Sequence, residues 1–574
     1  MSASRALPAP EPARMRWWGW GEPSRPPALT SAALELLGDT VGLAPAPRPP
    51  VALEAVALPP ARLGERTLDS LRAILGPEGL RVDRAERIRH AAGKGYLDLV
   101  HMRAGAPRAA PDAVALPDGH RSLRALLELA ARESIAVVPF GGGTSVVGGV
   151  EPLAGDHPAV IALDTSRMAA VHDLDPESRV VTVAAGIRAP ALERHLAGHG
   201  LTLGHYPQSF EYVSLGGCVA TRSAGQSSSG YGSIARMVLG LRLAAPAGDI
   251  DLQPLPATAA GPGLRELLVG SEGALGVIHE LSLRVRPAPR EILDEGVFFE
   301  SFQAGLEALR ALAQEHATPE VARLSDPRET WLSLALADSG SAHAPAGPRE
   351  RLAGELKRRL GHAYLGLRGF GEAASGRCLA ILAFEGHPEE VHIRRARARK
   401  LIRAHGGLLV GRSPGAAWRR DRFQAPYLRD ELLTHGVMVE TLETATRWSN
   451  MSRLHAAVTA AIEGALERQA TPGIVMCHVS HLYETGASLY FTYIARQRAG
   501  AEAEQWAAVK HAAAEAIVAG GGTITHHHAV GLDHARWLAR EIGERGLATI
   551  AAAKAELDPA GIMNPGKLGL SGRG

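Results

Sequence analysis

An α+β protein of more than one packed unit is what this sequence predicts, on three observations. The chain has 574 residues, too many for a single core when domains run to roughly 150 residues. From about residue 107 onward, helical and strand-like periods alternate. A strand-like run then opens directly into a glycine-rich loop, which marks an α+β unit that holds something on its loops.

Taken in order, residues 1–60 are rich in Pro, Ala and Arg, and the proline clusters at 45–50 and 59–60 predict a largely irregular arm. Its exception is Arg16-Trp17-Trp18-Gly19-Trp20-Gly21. Indoles are costly to leave in water, so they are expected to dock on the body of the protein, with a partner or lipid surface as the second reading. Leu123, Leu126, Leu127 and Ala130 recur at i, i+3, i+4 and i+7, the spacing of one apolar helix face, and residues 135–140 follow as a short buried strand. Strand-like runs at 159–163 and 179–184, a helix near 190–198 and a long Gly/Ser-rich stretch at 204–232 complete this part. After Pro287-Ala288-Pro289 the pattern resets, which places a domain boundary there. Amphipathic helices at 302–314 and 349–360 then interleave with strands at 379–384 and 488–494. The end carries Thr523-Ile524-Thr525-His526-His527-His528, a charged helix through Glu544, and Asn564-Pro565-Gly566-Lys567.

Charge and cysteine content exclude several function classes. Lys+Arg total 62 against 60 Asp+Glu, a formal net charge of +2, which gives no electrostatic case for a nucleic-acid partner. Cys218, Cys378 and Cys477 stand far apart with no paired spacing, so neither a disulfide framework nor a thiolate zinc site is indicated, and a reducing compartment follows. No apolar h-region follows Arg5 and Arg14, and no run approaches the roughly 18 apolar residues of a spanning helix. A cytoplasmic protein is expected, with peripheral membrane contact left open.

The loop Pro139-Phe140-Gly141-Gly142-Gly143-Thr144-Ser145 sets several unshielded N–H groups and two hydroxyls around a small concavity, a nest suited to phosphate or diphosphate. It lacks the lysine of a P-loop and is not a G-x-G-x-x-G fingerprint, which disfavours nucleotide hydrolysis and ordinary NAD binding. Further loops follow: Pro207-Gln208-Ser209, Ser214-Leu215-Gly216-Gly217, Thr221-Arg222-Ser223-Ala224-Gly225, and Gly270-Ser271-Glu272-Gly273-Ala274-Leu275-Gly276-Val277-Ile278. This order of loops resembles the flavoproteins related to vanillyl-alcohol oxidase and para-cresol methylhydroxylase, over about residues 85–290 and again near Asn564-Pro565-Gly566-Lys567.

That resemblance implies a two-subdomain FAD-binding domain of the para-cresol methylhydroxylase type, an α/β cap domain for substrate, and a helical C-terminal segment. The expected divisions are an N-terminal arm and helical segment at 1–106, the FAD domain at 107–289, the cap at 290–522, and a segment at 523–574 returning to the flavin. The first loop would hold the FAD diphosphate. Gln208, Ser209, Ser214, Thr221, Ser223 and Ala224 would line the ribityl chain and flavin, Glu272 to Ile278 would close over the cofactor, and Lys567 would join them. Covalent members often present a His after paired glycines; Thr144 stands there, so dissociable, non-covalent FAD is expected.

Within that group the sequence is most similar to the alkyldihydroxyacetonephosphate synthase family, beginning with the Trp-Gly-Trp-Gly arm. The family exchanges the acyl group of an acyl-dihydroxyacetone phosphate for a fatty alcohol without net redox change. Gly204-His205-Tyr206-Pro207 matches its Gly-His-x-Pro, and Arg323 lies in a matching Ala-Arg-Leu-Ser-Asp stretch. Arg429 in Tyr427-Leu428-Arg429-Asp430 matches the phosphate-binding arginine. Thr441 stands where the family carries serine, and Tyr490 matches the proposed catalytic tyrosine. His526-His527-His528-Ala529-Val530-Gly531 resembles His-His-His-Gly-Val-Gly, with Ala529 in place of glycine. The resemblance thus implies Tyr490, His526, His527, His528, His205, Arg323 and Thr441 as catalytic and Arg429 as substrate-binding. It implies lipid substrates in ether-lipid synthesis, and a homodimer is the expected assembly. No metal is expected, because no carboxylate or cysteine partner lies at ligand spacing from His526 to His528.

Chemistry of the residues agrees with part of this. Arginine offers a planar fork to phosphate oxygens, and a tyrosine starting near pKa 10 needs nearby cations or imidazoles to act as a base at neutral pH. Strand neighbours alternate, so at most two of three consecutive histidines are expected to face one site. The competing readings are an FAD-linked oxidoreductase of small 2-hydroxy acids, of the D-lactate and glycolate type, and a non-catalytic flavin-binding protein. Loss of a glutamate at His526 to Gly531 and the presence of Tyr490 favour the transferase. His478 and His481 remain candidate ligands or packed strand residues, the latter favoured.

Overall fold

The computed structural model describes residues 15–24, 29–339 and 376–570; the helix expected at 349–360 lies outside the described residues. Apolar strands and glycine punctuation build three main sheets. The first has the order Leu80–Arg81, Ala113–Ala115, Ala159–Asp164, Ile135–Phe140. Its last three strands run parallel and are buried on both faces, as parallel strands must be. The helix His120–Arg132 packs on it through Leu123, Leu126, Leu127 and Ala130, the face its spacing predicts. The second sheet is antiparallel, with Val277–Arg284 between Val180–Ala184 and Val238–Ala245.

Beyond a short pairing of Arg286–Pro287 with Leu201–Thr202, the chain enters a seven-stranded antiparallel sheet. Its order is Leu408–Gly411, Glu291–Phe299, Cys378–Gly386, Val321–Ser325, Gly473–Leu482, Gly486–Arg496, Val437–Arg447. Alternation along its last three strands divides labour between the faces. Cys477, Phe491 and Leu442 are register partners in the hydrophobic core under helices that include Phe302–Gln314 and Met451–Glu467. On the opposite face His478, Tyr490 and Glu443 stand in one row.

The N-terminal arm departs from the irregular chain its prolines predict. Ser31–Val41 is a helix capped by Thr30, and Leu37 and Val41 pack with Leu332, Val437 and Ile494. The indoles do dock on the body: Trp20 is buried edge-on to Tyr212, its backbone N–H donates to Asp430, and Lys94 Nζ donates to the carbonyls of Arg16 and Trp17. No helix among the described residues is long and apolar enough to cross a membrane.

At the other end the chain returns to the first sheet. Val137 donates to the Ile562 carbonyl and accepts from Asn564 N–H, adding Met563 as a parallel bridge beside the strand that feeds the first glycine loop.

Candidate active site

Between the first two sheets lies a partly open cleft. Pro139, Phe140, Gly141 and Ser145 line one side, Ser214 and Thr221 a second, and Glu272, Gly273, Gly276, Val277 and Ile278 a third. Four separate sequence segments therefore meet as the loop order implies. An anionic ligand fits these walls on two counts. The amides of Gly142, Gly143 and Thr144 make no hydrogen bond among the described residues, so they are available to an anion. Side chains at Gly141 and Gly142 would run into Ser214 Oγ and the Tyr212 carbonyl, so the chain must stay bare there. Behind the walls, next to Glu272 in chain or by hydrogen bond, buried Ser271 Oγ and Asn564 Oδ1 have no partner among the described residues.

Other implied cofactor residues sit around the cleft. Gly143 adopts a φ of 65° against the Phe140 ring. Gln208 Nε2 donates to the Arg422 carbonyl, the Ser209 carbonyl accepts from Tyr212 and Val213, and Ser223 bonds His205. Ala224, Ala274 and Leu275 are buried in the surrounding packing. Lys567 is fully buried, donates to the Glu151 carbonyl, and is pushed by burial down to about 8. Thr165, Gly149, Val150, Ala220 and Ala529 also line the cleft. Thr165 follows the strand Ala159–Asp164, whose end beside the glycine loop was the signal available for it.

Tyr490 lies among the implied catalytic residues. Its ring stacks on His478 at 4.8 Å and meets His527 and His528 at 6.0 and 5.6 Å, and its hydroxyl pairs with Thr441. The lowering that a tyrosine base at neutral pH would need does not occur. Burial pushes it up to about 12, with Glu443 and Glu440 adding to the rise against Thr441 and Arg323. The histidine segment is not a strand, so its rings need not alternate. His527 and His528 face Tyr490, while His526 bonds Tyr483 and approaches His527, Nδ1 to Nδ1, at 2.9 Å.

His205 is buried beside Ser223, with Nδ1 unpartnered among the described residues. Arg323 pairs with Glu329 and reaches His478 at 3.2 Å. Although burial opposes it, Arg323 and His478 hold Glu329 down to about 2. Arg429 stands apart from this group: its fork takes Asp430, and its Nη1 donates to the Lys94 carbonyl at 2.7 Å.

One group in the site escapes sequence reading: Glu443 lies behind the histidine segment. His481, weighed in the sequence as a ligand or a packed strand residue, is bonded to Ser228 at 2.6 Å and stacks on His526. The sequence predicts no metal site, yet the fold brings ring nitrogens of His481, His526 and His527 within 4.8 Å of one another. Chain spacing gives no sign of that grouping, because His481 comes from a different strand.

Burial keeps these imidazoles neutral. It drives His205 and His527 down to about 3 and His526 to about 4, and holds His481 and His528 well below their ordinary value. An unfolded histidine takes a proton near pH 6.5 while these do not, so the stability they carry is complete above that pH and drains as pH falls towards 4. Each contributes a slope of about 1.4 kcal/mol per pH unit. The flavin-free protein should therefore lose melting temperature steeply between pH 6.5 and 4.5, less steeply in His527→Asn. A melting temperature flat over that range would refute neutral burial.

Comparison with known proteins places this geometry. Residues 111–251 match the family described as FAD binding domain, and residues 288–568 the family described as FAD linked oxidases, C-terminal domain. The chain is 31% identical over 520 residues to an alkyldihydroxyacetonephosphate synthase of Dictyostelium discoideum, covering 91% of this chain and 83% of that one. It belongs to the alkyldihydroxyacetonephosphate synthase family. A synthase of Trypanosoma brucei brucei is 33% identical over 514 residues, covering 89% of this chain and 82% of its own. A solved alkyldihydroxyacetonephosphate synthase structure superposes with a TM-score of 0.82 at 27% identity, over 96% of this chain and 99% of that one. FAD is thus its cofactor.

Proposed function

We propose that this protein exchanges the acyl group of an acyl-dihydroxyacetone phosphate for a fatty alcohol, releasing the fatty acid and leaving the flavin's oxidation state unchanged. The observation that carries this reading is the convergence of Tyr490, Thr441, His527 and His528 on one face of the seven-stranded sheet, in a chain of the synthase family. Both substrates carry long apolar chains, which supports a working place at a membrane surface.

Bound FAD would supply an electron-accepting ring able to bond reversibly with carbon. The amides of Gly142, Gly143 and Thr144 would hold its diphosphate non-covalently, and Glu272 to Ile278 would cover it. Tyr490 moves the proton at C1 of the dihydroxyacetone phosphate ester. It rests protonated, so it takes up that proton only as its own passes to Thr441 or to a neutral imidazole of His527 or His528. These imidazoles, with His205 and Arg323, orient the ester and the departing carboxylate. Arg429 is the candidate holder of the phosphate, whose two negative charges compete with Asp430 for the same fork.

Purified protein mixed anaerobically with acyl-dihydroxyacetone phosphate and labelled hexadecanol tests this. Labelled alkyl ether and one fatty acid per ether should form with no electron acceptor, and denaturation should release yellow flavin from the chain. D-lactate, glycolate and D-2-hydroxyglutarate should leave the oxidised flavin unbleached. Bleaching by one of these acids with no ether formed would replace the transferase with an oxidoreductase.

A further inference from the structure

We propose that Glu443 is the positioning residue of the histidine loop, the group that sets His527 and His528 against Tyr490; this rests on the reading of those residues given above. Glu443 lies on Val437–Arg447 as the register partner of Tyr490, and its side chain is wholly buried. Its carboxylate accepts from the backbone N–H groups of His526, His527 and His528, the latter two at 3.0 and 2.6 Å, and from Thr525 Oγ1 at 2.7 Å. A carboxylate has about four acceptor sites; three of these donors reach Oε1 and one reaches Oε2, so one short loop engages both oxygens.

The charge of Glu443 is met by the loop itself. No lysine or arginine pairs with it among the described residues, and the nearest ring nitrogens, Nδ1 of His527 and of His528, each stand 3.7 Å away. Successive amides wrapped round one anion form a rigid nest. The two histidine rings that face Tyr490 are therefore mounted on an anion carried by the strand paired with Tyr490's own.

The loop's far end is held in the same manner from the flavin side. Glu272, in the segment that lines the cleft, accepts from Val530 and Gly531 at 2.8 and 2.7 Å. Between the two anchors Ala529 adopts a φ of 77°, a left-handed conformation that a residue with a Cβ resists. A loop carrying such strain keeps its shape only when both ends are fixed. Among the described residues the hydrogen bonds of the Glu443 carboxylate all go to residues 525–528, so it acts through the histidines.

Glu443→Gln turns one acceptor oxygen into a donor facing the loop's own N–H groups. Displacement of catalytic groups by about 1 Å costs on the order of a hundredfold, so kcat for alkyl transfer per bound flavin should fall by that order. KM for acyl-dihydroxyacetone phosphate should stay within about threefold, the split expected when reacting geometry rather than binding is lost. Glu443→Asp keeps four acceptor sites on a shorter stem and should recover part of the loss. A merely structural glutamate would lower the yield of folded protein and leave kcat per flavin within threefold of wild type, and that result would overturn the proposal. Where Glu443→Gln does not fold, Thr525→Val removes one donor of the four. It should lower kcat several-fold, and an unchanged kcat there also overturns the proposal. Wild type run alongside keeps the two readings apart: if it makes no ether and is bleached by a hydroxy acid, the transferase reading fails, and the same variants are judged on the hydroxy-acid turnover.

Discussion

Tyr490→Phe is expected to lower alkyl transfer by about two to four powers of ten, the scale of losing a positioned proton-transfer group, while flavin content and melting temperature barely move. In barrier height that is about 3 to 5 kcal/mol. The ring packs between His478 and the histidine loop, and phenylalanine keeps those contacts. What leaves is one hydroxyl bonded to Thr441. Because the resting phenol is raised to about 12, its loss removes no charge from the folded protein near neutral pH, so little stability is at stake. Stopped-flow or discontinuous assay of ether formation, beside flavin absorbance and thermal melting, measures all three quantities. Activity within a few-fold of wild type would remove Tyr490 from proton transfer and leave the neutral imidazoles as the acceptors.

How much of this was legible in the sequence depended on the range of the forces involved. The strand Ile135–Phe140 reads directly from its apolar run and the glycines that end it, and the helix Phe302–Gln314 from its periodicity. The helix Ser31–Val41 escaped because prolines flank it on both sides, while its stability comes from packing on Leu332 and Val437, some three to four hundred residues away. The loops around the flavin cleft were legible because each carries its own glycine signature. Glu443 was not: an isolated glutamate on a strand carries no local sign of the four donors that reach it from residues 525–528. The phenol's shift was not legible for a related reason. Its imidazole neighbours were visible in sequence, but the burial that keeps them neutral and raises the tyrosine belongs to the assembled fold.

Lys554→Met should cost about 3 to 5 kcal/mol, the range for stranding one half of a buried ion pair, and should weaken flavin retention with it. Lys554 lies on the helix Ala535–Leu557, and its ammonium donates to Asp558 Oδ2 at 2.9 Å, the Met563 carbonyl at 2.7 Å and the Ala274 carbonyl at 2.9 Å. Those three acceptors belong to the helix end, to the strip that returns beside Val137, and to the segment that closes the flavin cleft. Asp558, wholly buried, also accepts from Ile562 and Met563, so methionine would leave its carboxylate with those two amides and no cation. Met563 bridges to the strand feeding the first glycine loop, so loosening it disturbs both walls of the cleft at once. Urea unfolding monitored by circular dichroism gives the stability, and flavin fluorescence on dilution gives the retention. The double variant Lys554→Met, Asp558→Leu removes the stranded charge as well and should recover much of the lost stability. If the single variant instead unfolds at the wild-type midpoint, the C-terminal strip is held by its apolar contacts, and the buried pair contributes nothing net.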